Sequence, residues 1–548
     1  FTPPPGFLPL ASHNLESASI LKPQRFFGTV LYTGTGSANH HITGLDFKPD
    51  LVWIKARTQS YTHLWYDSVR GAGKQIYSDT TAQEYYNINN LYSFNENGFS
   101  LARSSNDDVT NDSGESFVAW CWKGGSPETP TNGSAHFDAN GDYLSLASTS
   151  DFDFGTGDFT LELYYRCDGY GNTPYMLEFR ATGGSEAGSI VCYVQSSGEA
   201  VFWHNGSNRV ISNGAITLSK WTHIAYVRHS GTTKMYIDGV AQSQTYTDTN
   251  DYGDGGRPLF IGVRRNGGSS LNNQSWDGEL SNVRIVKGTA VYTSNFTPST
   301  TPLTNISNTK LLCCQSTTSA TTAAVTPGTI TANGGVTPSV SNPFDAYSVD
   351  GVGYATASAA GITDGSISLT GASINKTSKF SCVSYQGNST DGATVGHGLG
   401  VAPSFVVIKS RNLGTVGSAG AHWIVSHQYL TGGLNGGNSA QRIFFSLTNG
   451  ESGNAHGAIS AASSTTVTFK DGSGNSDDAH LNNSSGAYIM YSWADVPGYS
   501  RFGSYEGNGN SNGPYIDCGF RPALVIAKRI DSTDNWVMKD SKRNSYNS

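Results

Sequence analysis

The chain writes one phrase three times. "GLDFKPDLVWIK" (Gly44–Lys55), "GLGVAPSFVVIK" (Gly398–Lys409) and "DCGFRPALVIAK" (Asp517–Lys528) each pass from a turn through a proline into an apolar strand ending on lysine. A proline at the head of a strand fixes φ there without removing a central ladder hydrogen bond. The surroundings recur as well. "FFGTVLYTGTGS" and "FSCVSYQGNST" precede the first two phrases, "HLWYDSVRG" and "HWIVSH" follow them, and "ESFVAWCWKGG" and "GAYIMYSWADV" close them. Tyr32, Tyr385 and Tyr505 stand at nearly constant distance before Pro49, Pro403 and Pro522. Internal repeats of this kind require each copy to be the same supersecondary unit. They set boundaries of 26–126 for the first β-sandwich repeat, 380–498 for the second and 499–548 for a third. The third copy contains only the first half of a unit. Half a small β domain cannot close its own core, so its strand "ALVIAK" is expected to be covered by later residues or a neighbouring chain. Both ends read as cut from a longer protein.

Between the repeats lies a different unit, 127–318. Its phrases, among them "AHFDANGDYLSLA", "GTGDFTLELYYRC", "KWTHIAYVRHSGTTKMYIDG" and "WDGELSNVRIVKGTAVY", alternate apolar and polar residues between Gly, Asn and Asp. That is the pattern of half-buried antiparallel strands. Residues 319–379 are rich in Thr, Ala, Gly and Ser and poor in large apolar side chains, which reads as a linker, extended or forming a small β element along its neighbours. Composition agrees with an all-β chain of tandem sandwich modules. There are 65 glycines and only 14% charged residues, while 11% aromatic residues supply apolar area for several small cores.

The same figures exclude whole classes of function. A formal net charge of −8 without any long Lys/Arg cluster argues against nucleic-acid binding. No apolar run approaches the length of a membrane-spanning helix, so no membrane insertion is expected. The N-terminal "FTPPPGFLPLAS" has neither the basic region nor the apolar run of a signal peptide. The seven cysteines are unevenly spaced and include no CxxC, so buried free thiols are expected in place of zinc or a disulfide framework.

The middle unit resembles the concanavalin A-like jelly roll of the laminin-G type. The residues that carry the likeness are Phe137 and Tyr143, Asp158 to Glu162, Trp221 to His223, Tyr236 to Gly239, and Trp276 to Ile285. The resemblance implies two packed antiparallel sheets, a fold often used to bind glycans or protein surfaces. The flanking repeats resemble β modules of large structural proteins encoded by marine tailed phages. Residues 1–25 look like the trailing end of an upstream SPRY-like domain or a linker.

Catalytic constellations are missing from the sequence. A glucanase of this fold needs paired carboxylates on one strand face, and "TLELYYRC" offers Glu162 alone. No P-loop or dinucleotide pattern occurs. Asp138, Asn140 and Asp142 in "DANGD" alternate as calcium ligands do, although the same letters make a tight hairpin turn. For glycan binding the useful groups are aromatic rings and short polar side chains beside turns: Tyr170, Trp203 and Asn205, and Trp276 with Asp277.

These readings combine into a non-enzymatic virion protein, a tail fibre or appendage segment acting outside the cell. It would attach to a host cell-surface glycan or protein receptor through the jelly roll, contact other virion proteins and form a homo-oligomer. Multivalent display would raise the avidity of weak modules. The alternatives are a structural spacer or capsid/tail decoration protein, a secreted cell-surface adhesin, and a polysaccharide depolymerase, whose usual short parallel β-helix period is not seen here.

Overall fold

A computed structural model describes residues 18–102, 109–127, 130, 132–180, 188–253, 257–266, 270–363, 365–416, 419–452, 457–470 and 480–543. Residues 1–17, on which much of the SPRY-like expectation rests, lie outside this set. Among the described residues the chain is strands and turns with a few single turns of 3-10 helix. It divides into two compact units, Phe1–Glu128 with Tyr347–Ser548, and Thr129–Ala346. The three repeats therefore fall in one unit, and the inserted jelly roll is the other.

In the first copy the proline strand (Leu51–Ala56) lies between the closing strand (Ser116–Trp122) and the return strand (Leu64–Asp67). The opening strand (Phe27–Thr33) pairs on the far side of the closing strand, and the flank strand (Lys74–Tyr77) pairs with the return strand. The second copy has the same order: Phe380–Gln386, Ala487–Trp493, Phe405–Ser410, Ile424–His427 and Ile443–Phe444. Each copy adds a three-stranded sheet of matching order, His40–Thr43 with Gly98–Leu101 and Leu91–Asn95, and Thr394–Gly396 with Thr466–Lys470 and Ala458–Ala462.

The equivalence reaches single hydrogen bonds. Phe27 faces Trp122 as Phe380 faces Trp493, and the Tyr32 and Tyr385 hydroxyls each donate to a main-chain carbonyl at 2.8 Å, those of Thr110 and Leu481. Behind each proline, the amides of Asp50 and Ser404 donate to the carbonyls of Trp122 and Trp493 at 2.8 and 2.7 Å.

The proline strand is apolar without alternation because both of its faces are covered. In the first copy Val52 and Ile54 pack with Phe99, Leu101 and Phe117 under the small sheet. Leu51 and Trp53 point the other way, into a second core with Trp65, Trp120, Trp423 and Tyr491. That second core draws on all three copies. The third contributes a hairpin, Leu524–Ala527 with Val537–Asp540, in the register of the first copy: Leu524 opposes Asp540 as Leu51 opposes Asp67. Leu524, Ile526, Trp536 and Met538 pack on the shared core, and Trp536 stacks on Phe445 with centroids 4.6 Å apart. Only one face of "ALVIAK" is covered, since Val525 and Val537 remain 45% and 47% exposed.

The segment 319–379 is not a free linker. Ala323–Val325, Thr331–Asn333 and Thr337–Ser339 pair with jelly-roll strands, and Leu369–Asn375 pairs with the opening strand of the second copy. Edge pairing needs backbone groups more than large side chains, which is why composition alone suggested a linker. The jelly roll itself packs a sheet containing Phe159–Cys167 and Asp277–Lys287 against a seven-stranded sheet, around one large core. All seven cysteines are free, and six are buried.

A buried ion cluster ties the first two copies together. Arg70 is bound by Asp67 Oδ2 at 2.5 Å and Glu84 Oε2 at 3.1 Å, and the Tyr491 hydroxyl donates to Asp67 at 2.6 Å. Arg411 of the second copy binds Glu84 through two bonds of 2.9 and 2.7 Å. Burial alone would raise the Glu84 carboxyl, but Arg411, Arg70 and Lys74 bring it down to about 2 from 4.5. A depressed carboxyl stabilises the fold above its ordinary pKa and stops doing so as pH falls through the folded value. Glu84→Gln should therefore lose about 3 kcal/mol at neutral pH and flatten the acid limb of the stability profile between about pH 4.5 and 2. Denaturant melts across pH check this; an acid limb as steep as in the parent would contradict it.

Candidate functional site

The seven-stranded sheet of the jelly roll includes Tyr143–Thr149, Tyr175–Phe179, Ile190–Val194, Glu199–His204 and Arg257–Ile261. Side chains alternate along its strands, and Leu144, Leu146, Ile190, Cys192, Ala200, Phe202, Leu259 and Ile261 enter the core. Their neighbours Tyr143, Tyr193, Trp203 and Phe260 are thereby left on the outer face. Tyr175 joins them, stacked on Tyr193 at 5.0 Å with an interplanar angle of 16°.

Three guanidiniums sit among these rings: Arg180 over Trp203 at 5.1 Å, Arg264 over Tyr175 at 5.8 Å and Arg265 over Phe260 at 4.8 Å. Glu178 accepts from the Arg265 amide at 3.2 Å and lies 3.7 Å from Arg180 Nε. Burial pushes the Glu178 carboxyl up to about 7 against the pull of the arginines. The fold thus favours its protonated form, and the cost of ionising it grows as pH rises from the ordinary carboxylate range toward 7. Rings with guanidiniums and a carboxyl can stack on sugar faces and hydrogen-bond hydroxyl or acid groups.

Trp203 belongs to this face, and Asn205 is exposed at the hairpin turn just beyond it. Asn205 and Gly206 have φ of 45° and 75°, the left-handed pair that an Asn-Gly turn requires. Tyr170 is half-buried against the core and sits beside Gly198, at the opposite end of the Trp203 strand. A strand of that length separates it from Asn205 by on the order of 20 Å. Asp277 opens a strand opposite Asp138 and its carbonyl accepts from the Asp168 amide at 2.9 Å.

Trp276 is a correction. It is fully buried in the jelly-roll core, edge-on to Tyr165 at 5.8 Å, and cannot meet a ligand. The turn letters around it suggested a loop, but its amide donates to the Gly262 carbonyl at 2.7 Å, which aims the ring inward. The arginines and Tyr143, Tyr175, Tyr193 and Phe260 were missed, although the alternation of "IVCYV" and "EAVFWH" carries the signal.

The "DANGD" oxygens serve the turn. Asp138 Oδ1 accepts from the Asn140 amide at 2.9 Å, and the Asp142 carboxylate accepts from the amides of Asp138 and Gly335. Ala139 and Gly141 hold left-handed φ of 63° and 82°. Among the described residues no group of three or more His, Cys, Asp or Glu is placed to hold a metal.

Glu162 is equally committed. It is buried with Arg284 at 2.7 Å, His223 at 3.1 Å and the Tyr292 hydroxyl at 2.8 Å. Although burial raises its carboxyl, His223 and Arg284 lower it overall, so it stays an anion held by Arg284, His223 and Tyr292 and has the character of a structural hub.

A family model described as a domain of unknown function, DUF7483, matches residues 22–159 and 296–548. The chain belongs to that family. A second model, of the concanavalin A-like lectin/glucanases superfamily, matches 138–291, sharing 138–159 with the first DUF7483 segment and otherwise lying in the interruption between its two segments. A concanavalin A-like domain is thus present, inserted in the DUF7483 unit. No curated protein sequence matches the chain.

Among solved structures, similarity extends to a heptameric SAP-like pentraxin from Limulus polyphemus, at 16% identity and TM-score 0.30, over 39% of this chain and 97% of that one. Mouse laminin alpha1 domains LG4-5 are similar at 13% identity and TM-score 0.20, over 53% and 100% of the two chains. The carbohydrate binding module CBM66 from Bacillus subtilis is similar at 20% identity and TM-score 0.18, over 28% and 89%. At these scores the likenesses carry no weight for function.

The burial difference between the two tryptophans yields a direct test. Trp276→Ala should cost about 3–5 kcal/mol as a core deletion. Trp203→Ala, losing an outer contact with Arg180, should cost about 1 kcal/mol. Equilibrium melts of both variants check the assignment, and equal losses would contradict it.

Proposed function

We propose that the chain is a non-catalytic, glycan-binding structural protein, a segment of a phage tail fibre or appendage whose jelly roll meets glycans on the host surface. The observation supporting glycan binding is the outer face of the seven-stranded sheet, where the half-buried rings of Tyr143, Tyr193 and Trp203 and the half-buried Arg264 and Arg265 lie beside the buried Tyr175, Phe260 and Arg180. Rings supply stacking area, and guanidiniums bind carboxylate or sulfate groups in two-pronged fashion, so the face suits an acidic sugar. The binding reading is also supported by the commitment of Glu162 to Arg284 and His223, which leaves it unsuited to proton transfer at a glycosidic bond. The virion assignment rests on the resemblance of the repeats to phage structural modules, and display of many copies would compensate for weak single sites.

One observation favours the rival spacer role: Arg180 already covers the Trp203 ring. A glycan array of acidic and neutral sugars separates the two readings. Acidic glycans should bind, and Trp203→Ala or Arg264→Ala should weaken them about tenfold with the melting temperature nearly unchanged. Absence of binding across the array would return the jelly roll to a spacer. Antibodies against the chain should label purified particles, and their failure to do so would contradict the virion assignment.

A further inference from the structure

The three copies form a ring, and the contacts between copies repeat as the strands do. After its flank strand the first copy continues as "YSDTTAQE" (Tyr77–Glu84), which lies on the second copy. Trp423 Nε1 donates to the Tyr77 carbonyl at 2.7 Å, Lys409 Nζ donates to the Thr81 carbonyl at 3.2 Å, and the Glu84 amide donates to the Arg411 carbonyl at 2.6 Å. The second copy's "FFSLTNGE" (Phe444–Glu451) lies on the third in the same way. Trp536 Nε1 donates to the Phe444 carbonyl at 3.1 Å, Lys528 Nζ to the Thr448 carbonyl at 2.8 Å, and the Glu451 amide to the Ile530 carbonyl at 2.7 Å. Both segments read aromatic-x3-Thr-x2-Glu.

A second repeating contact closes the ring. Tyr491, on the second copy's closing strand, donates to Asp67 of the first. Trp120 holds the same position on the first copy's closing strand and donates to Asp540 of the third at 3.2 Å. Asp540 is the counterpart of Asp67, and each accepts from the amide and Nε of an arginine three residues on, Arg70 or Arg543. The first copy therefore meets the third in the sense in which the second meets the first.

The matching seat on the first copy is His63, Lys55 and Arg57, at the positions of Trp423, Lys409 and Arg411. These three residues line a cavity of about 690 Å³ whose opposite wall includes Trp536, Met538 and Arg543 of the third copy. Lys55 Nζ keeps the bond inside its own copy, to the Tyr61 carbonyl at 2.5 Å, as Lys409 does to Ala421 at 2.9 Å and Lys528 to Asp534 at 2.8 Å. Its other bond goes to Gln59 of its own loop at 3.3 Å, where Lys409 and Lys528 reach the threonine of a preceding copy. Arg57 is exposed, and among the described residues its guanidinium meets no carboxylate. An independent observation concerns the third copy's outer face. Val525 and Val537 are 45% and 47% exposed, whereas Val52 and Leu64, their counterparts in the first copy, are fully covered by its remaining strands.

We propose that this cavity is a docking seat for the aromatic-x3-Thr-x2-Glu segment of a further repeat of this kind. His63 donates to the carbonyl of the aromatic residue, Lys55 to that of the threonine, and Arg57 pairs with the glutamate. The occupant is polypeptide with the chemistry of Tyr77–Glu84, and it makes on the first copy the contact already made on the second and third.

A fluorescent peptide with the sequence of Gln75–Tyr86, titrated into the full chain and read by anisotropy, tests the proposal. Saturable binding is expected. Arg57→Glu should weaken it at least about tenfold, and a peptide carrying Glu84→Arg should recover the loss on the Arg57→Glu protein. Arg57 is exposed, so the variant should fold, and an unchanged melt verifies this. No saturable binding up to about 1 mM, or binding indifferent to Arg57→Glu, would overturn the proposal.

Discussion

A β-sheet that is apolar on both faces cannot stand alone in water. The main sheet of the first and of the second repeat is such a sheet, and the first unit follows from that constraint. One face is covered locally by the copy's own three-stranded sheet, through Ile42, Phe99 and Leu101 in the first copy. The other face carries Trp53, Trp65, Trp120 and Trp122, and only another copy presents a surface of that size and kind. The copies therefore share a core. Their buried polar contacts follow the same rule, with Glu84 and Arg411 giving the direction in which one copy meets the next.

The jelly roll is inserted where this constraint does not reach. The chain leaves the first copy after its closing strand and returns at Tyr347 to build an edge of the second, so an independent core can be carried without interrupting either shared face. Its own buried ions, Glu162 with Arg284 and Arg228 with Asp248, lie within that core's sheets. Recognition by loops and an outer sheet face on a rigid sandwich is then compatible with a scaffold built by repetition.

Much of this was legible in the sequence. The triplicated proline strand gave the repeat, its register and the equivalence of Trp122 with Trp493, because a period of hydrophobic residues and a proline survive as letters. The unbroken apolar run "LVWIK" also carried the two-faced burial, but that inference needs a partner surface, which lies hundreds of residues away. The jelly roll was readable from its alternating strands. The fate of Trp276 was not, since a ring beside turn residues can point either way until the amide partner is known. Which edges the β elements of 319–379 would join was not legible for a related reason: Ala, Thr and Gly pair along a sheet edge through their backbones, and composition is silent about edges.

The central claim is that the repeats share one core around their tryptophans. Hydrogen exchange on a Trp65→Ala variant tests it most directly, because Trp65 belongs to the first copy but touches Trp423 and Tyr491 of the second at 5.1 and 4.9 Å. The shared core requires amides in Leu51–Ala56 and in Phe405–Ser410 to lose protection together, while Phe159–Cys167 of the jelly roll stays protected. Loss confined to the first copy, with Phe405–Ser410 as protected as in the parent, would contradict a common core.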